Sequence, residues 1–188
     1  MFHVKLDRPA RRATLVVHVA AAAGWLGLTL GLLALAVAAI TTDSAATTEA
    51  AVRSMKIFTD WLVLPLAFLT LLSGLVLSLG THWGLARHRW VYVKFWLTLA
   101  TTIASVFALR PGVSDAVDTV ASGASLVDPT DLIAGPIVSL SAYLFMMVIS
   151  VLKPWGLTKR GRKQRESARG RRSVSGKAVD SEGARQPA

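Results

Sequence analysis

ATLVVHVAAAAGWLGLTLGLLALAVAAI, residues 13–40, decides the class of this protein. It runs 28 residues with no acidic or basic side chain and one histidine. About 20 apolar residues cross a hydrocarbon core as a helix. The run is also longer than the roughly 7–15 apolar residues of a cleavable signal sequence, so it predicts a retained helix. Three further segments have the same character, at 57–79, 90–109 and 132–152. Inside lipid the backbone must satisfy its own hydrogen bonds, which leaves helix as the state for all four. The expected fold is all-α: a polytopic four-helix transmembrane domain over 1–158, followed by a disordered basic tail over 159–188.

The composition agrees. Of 188 residues 53% are hydrophobic and 17% charged, yet the formal net charge is +10. Apolarity and basicity are segregated along the chain. Lys5, Arg8, Arg11 and Arg12 precede the first segment, Arg87, Arg89 and Lys94 surround the start of the third, and eleven Lys/Arg follow from Lys153 onward. The other two connections carry Asp43 and Glu49 against Arg53 and Lys56, and Asp115, Asp118 and Asp128 after Arg110. The positive-inside rule then places both termini and the middle loop in the cytoplasm (N-in/C-in). Trp83, Trp90 and Trp155 fall at the inner interface and Trp61 near the outer one.

Local signals refine the boundaries. Thr47 and Thr48 before Glu49 form a cap-like start for the second helix, with Glu49 and Arg53 at i, i+4. Pro65 predicts a kink. Arg110-Pro111-Gly112 and Lys153-Pro154-Trp155-Gly156 predict the ends of the third and fourth helices. Val113, Val117 and Val120 predict a short helix on the outer surface. The basic tail suits anionic lipid headgroups. It lacks the stacking aromatics or folded module of a nucleic-acid binder, so nucleic acid is not an expected partner.

Function must be sought among polar residues within the apolar segments. In the first, Ala20, Gly24, Gly27 and Gly31 form a small-residue strip suited to close helix packing, within the chain or with a second copy. His18 points away from that strip, on the side of Ala22, Trp25 and Thr29. In the third, Lys94, Thr98, Thr101 and Ser105 share a stripe; in the fourth, Ser139, Tyr143, Met146 and Ser150 do so. His18 and Lys94 each lie four or five positions inside the cytoplasmic boundary, roughly 6–8 Å deep, on helices that can be neighbours. Lys94 can snorkel to the interface. His18 can be a structural hydrogen-bonding residue or a ligand to haem or a metal. His3, His82 and His88 also fall on the cytoplasmic side. The absence of cysteine and of nearby carboxylates argues against a dedicated zinc or copper site.

HVAAAAGWLG (18–27), GLVLSLGTHWGLARHRWVYVKFWLT (74–98) and SVLKPWGLTKRGRK (150–163) together resemble a family of actinobacterial four-helix integral membrane proteins, a domain of unknown function. The resemblance covers Thr14 to Lys163 and implies the fold and a bacterial plasma-membrane location, with no assigned activity. His18, Trp25 and Gly27 are also similar to the first helix of copper-resistance D-type membrane proteins and of the haem-associated membrane protoporphyrinogen oxidase family. The latter resemblance implies a haem b site at His18 and Lys94, beside Trp25. That family's late first-helix arginine, which bears on porphyrin-carboxylate recognition, is missing from LTLGLLALAV (28–37), so catalysis does not carry over. Three functions follow in order: a non-enzymatic membrane protein acting through helix contacts as homo-oligomer or partner subunit; a haem-binding or redox protein using His18; a metal or small-ion permease.

Overall fold

In the computed structural model, residues 6–80, 88–124, 130–153, 155–159, 161–163 and 165–167 are described. His3, Lys5, His82, Trp83, Arg87, Asp128, Pro154 and the tail beyond 167 lie outside them. The described chain is helical without strands. Its four helices, each long and apolar enough to cross a membrane, are α1 (Arg8–Thr41), α2 (Ala45–Gly80), α3 (Arg89–Ala121) and α4 (Thr130–Leu152). They contain the four apolar segments and extend beyond them. At 1.5 Å per residue, the 34 residues of α1 span about 50 Å.

Capping explains the early starts. The Asp7 side chain accepts from the Ala10 amide, and Pro9 stands in the first turn, where its missing N–H costs nothing. α2 begins at Ala45 rather than near Glu49, because Ser44 accepts from the Thr47 amide. Thr48 instead bonds the Ala39 carbonyl and ties α2 to the end of α1.

Two prolines shape the long helices. Pro65 and Pro111 each stand two residues after a π-helical turn, Thr59–Val63 and Ser105–Leu109. A proline lacks the donor for the preceding turn and crowds its carbonyl; widening that turn accommodates both defects. The expected end of the third helix at Arg110-Pro111-Gly112 is therefore corrected: α3 continues to Ala121. The expected separate surface helix is its last part, with Val113 and Ala116 buried in a cluster containing Ala51, Val52 and Met55 of α2.

The helices follow one another around the bundle. α1 packs on α2 and α4, and α3 packs on the same two, so α1 and α3 stand diagonally. The start of α1, the end of α2, the start of α3 and the segment after α4 lie at one end of the bundle: the Leu6 amide donates to the Gly80 carbonyl and the Arg89 amide to that of Gly156. His88 and Leu157 form an isolated antiparallel bridge there. Residues 159, 161–163 and 165–167, which composition assigns to a disordered tail, are helical, with Thr158 Oγ1 accepting from the Gly161 amide.

The burial pattern is compatible with apolar surroundings. Phe68, Leu72, Phe107, Val138, Val148 and Val151 face outward, whereas Thr29, Thr70, Ser73, Thr98, Thr101, Thr102 and Ser105 are buried. These buried hydroxyls turn to partners or to their own helix backbone.

Candidate functional site

The polar core is assembled from the α3 and α4 stripes, which face each other in antiparallel register. Lys94 Nζ donates to Ser150 Oγ at 2.6 Å, and Thr98 Oγ1 to the Met146 sulfur at 3.3 Å. One turn deeper, the Tyr143 hydroxyl faces the side chains of Thr101 on α3, Thr29 on α1 and Ser139 on its own helix. Side chains of three helices thus converge at one phenol. The Tyr143 ring lies 4.7 Å from that of Trp25, tilted 48°, and the pair fills the centre of the bundle with Ala67 and Met146.

His18 stands two turns from Trp25, towards the end of the bundle where Leu6 bonds Gly80. Its Nδ1 is 3.0 Å from Ser73 Oγ and 3.2 Å from the Thr70 carbonyl, both on α2. Ser73 Oγ has a second contact, to the Leu69 carbonyl at 2.5 Å. A hydroxyl donating to Leu69 can only accept from His18, which puts the proton on Nδ1 and leaves Nε2 with a free lone pair. The ring reaches this position because residue 74 is glycine. A Cβ there would lie 3.1 Å from His18 Cε1. The side chain of the same Thr70 has its Oγ1 buried with no hydrogen-bond partner.

Lys94 is half-buried on α3. The helices carrying His18 and Lys94 are not direct neighbours, because α1 and α3 stand diagonally. The two side chains nevertheless lie within electrostatic reach. The only carboxylate in the four apolar segments is Asp60. It sits at the far end of α2, held by Lys56 and Arg110. Among the described residues, no group of three or more His, Cys, Asp or Glu side chains stands together.

The small-residue strip of α1 lies outside this core. Ala20, Gly24 and Gly27 are exposed, and the inward face is Ala21, Trp25, Thr29, Leu32 and Ala36. Gly24 and Gly31 border α2, where a Cβ would meet Leu66 at 3.6 Å and Phe58 at 3.9 Å; at Gly27 it would meet nothing within 4 Å. Polarity orients the helix: the inward face carries His18 and Thr29, whose partners lie within the bundle. Thr70, Ser73 and Gly74, which shape the histidine's surroundings, carry no signal of that role in the sequence. Their only mark is small or hydroxyl character on an apolar helix.

Comparison of the chain with protein-family profiles, curated proteins and solved structures gives no match. The reading therefore rests on the site.

Proposed function

We propose that the chain is a multi-pass protein of the bacterial plasma membrane, N-in/C-in, that holds an anionic prosthetic group between His18 and Lys94 at its cytoplasmic end. One observation carries the reading. Among the described residues, the Lys94 ammonium has a single neutral partner, Ser150. Charges within a bilayer pair with one another or mark a ligand path, and no carboxylate of the apolar segments is near. The uncovered lone pair of His18 Nε2 and the orphaned Thr70 hydroxyl face the same need.

Haem b suits this donor set. A metal-ligating histidine ordinarily donates its other N–H to a carbonyl or comparable acceptor, which is the part Thr70 plays. His18 would hold the iron, Lys94 a propionate, and Trp25 with Tyr143 would floor the site. Bound haem would supply one-electron chemistry or gas binding. The chain's residues orient the imidazole, neutralise an acid group and keep the interior closed below.

An absorption spectrum of detergent-purified protein, oxidised and dithionite-reduced, with and without added haem, tests this. The expected result is a Soret band lost in His18→Ala and weakened in Lys94→Met. A wild type without a Soret band after haem addition overturns the haem assignment.

The outward strip at Ala20, Gly24 and Gly27 favours a second reading, a helix-mediated homo-oligomer or partner subunit. Gly27 has room for a side chain within its own protomer. Gly27→Leu should therefore lower the detergent-solubilised mass to monomer without loss of helix; an unchanged mass refutes it.

A further inference from the structure

The far end of the bundle carries a second ionic feature. Asp60 lies in the π-helical turn of α2, and Arg110 directly follows that of α3; the two turns touch. Asp60 Oδ1 accepts from Arg110 Nε at 2.8 Å, and Oδ2 accepts from Lys56 Nζ at 3.0 Å. Lys56 also donates to Ser114 Oγ at 3.0 Å.

This arrangement is not self-sufficient. Two cations share one carboxylate, so one positive charge is left over. No other described carboxylate forms an ion pair with either cation, and Glu49 is taken by Arg53. Arg110 uses only Nε, so both terminal nitrogens of its fork are unspent, and its side chain is 49% exposed. A guanidinium held at Nε presents its two outer N–H groups as a pair, the geometry that suits phosphate oxygens.

The level of the feature indicates the source of such a phosphate. The apolar segments of α2 and α3 terminate here, at 57 and 109. Trp61 and Phe107, one residue and three residues away from the ionic pair, are 75% and 76% exposed. Large aromatics bared to the outside directly below an unspent cation match the boundary between acyl chains and headgroups.

We propose that Arg110 and Lys56 bind the phosphate of an anionic phospholipid, with Asp60 holding both cations in place and Trp61 and Phe107 against its acyl chains. The site is distinct from that of His18 and Lys94, at the other end of the bundle. It rests on the reading of the chain as a membrane protein, which flotation with liposomes tests independently.

The experiment is native mass spectrometry of the full chain in detergent, titrated with phosphatidylglycerol, phosphatidylcholine or glycerol 3-phosphate. The wild type should prefer phosphatidylglycerol. Arg110→Gln should weaken one phosphatidylglycerol association about threefold, as expected for loss of one exposed charge pair, and Lys56→Gln should do the same. Arg53→Gln should match the wild type and so control for general loss of positive charge. Equal phosphatidylglycerol binding by the wild type and both variants overturns the site. Glycerol 3-phosphate binding as strongly as the lipid overturns the lipid as the occupant. A wild type that floats with liposomes yet shows no lipid preference sinks this site while leaving the membrane reading standing.

Discussion

Gly74→Ala measures how tightly the histidine is held. In a helix interior, replacing glycine by alanine stabilises by about 1 kcal/mol. Here the new methyl would lie 3.1 Å from His18 Cε1 and 3.5 Å from Nδ1, tighter than ordinary contact. The imidazole must retreat by a few tenths of an ångström, at the expense of its contacts to Ser73 and Thr70 at 3.0 and 3.2 Å. Interhelical hydrogen bonds in membranes average about 0.6 kcal/mol each, so losing both offsets the propensity gain. Gly74→Ala alone should therefore be neutral or destabilising by about 1 kcal/mol once the steric push is included. In a His18→Ala background the obstruction is gone, and the same change should stabilise by about 1 kcal/mol. The double-mutant cycle then has a coupling of about 1–2 kcal/mol. Reversible unfolding in mixed detergent–SDS micelles, followed by far-UV circular dichroism, gives all four stabilities. Additivity within about 0.5 kcal/mol would refute the placement of His18 against Gly74.

Two further substitutions probe the same core. Thr70→Val removes a buried hydroxyl that has no partner and keeps the carbonyl that His18 uses. It should leave the ligand-free protein as stable or up to about 1 kcal/mol more so, while weakening haem retention in a spectroscopic titration; a loss of stability above that size means the hydroxyl is bonded. Tyr143→Phe keeps the ring on Trp25 but removes the hydroxyl that faces Thr29, Thr101 and Ser139. It should cost about 0.6 kcal/mol, one interhelical hydrogen bond, in the same unfolding assay; no change would mean that packing alone joins α1, α3 and α4.

Much of the architecture was legible in the sequence, because a long run free of charge has one low-energy backbone state in an apolar medium. The two polar stripes were readable for the same reason: hydroxyls at helical spacing need a protein-facing side, and Lys94 and Ser150, Thr98 and Met146, and Thr101 and Tyr143 do meet. Helix ends were less legible. Pro111 reads as a terminator, but a π turn absorbs it and α3 runs on. Thr47 and Thr48 read as caps, but Ser44 fills that role first.

By itself, the sequence determined the all-helical class, the number and placement along the chain of its apolar helices, and the polar residues that need partners within them. The tertiary structure decided which partners they have. Only the packing turned α1 so that Trp25 and His18 point inward and Gly27 outward, put α1 diagonal to α3, and brought Gly74 against the imidazole. Spacing along one helix gives the angle of each side chain about that helix's axis. It does not give the rotation of the helix against its neighbours, which is set by the sum of contacts across all four.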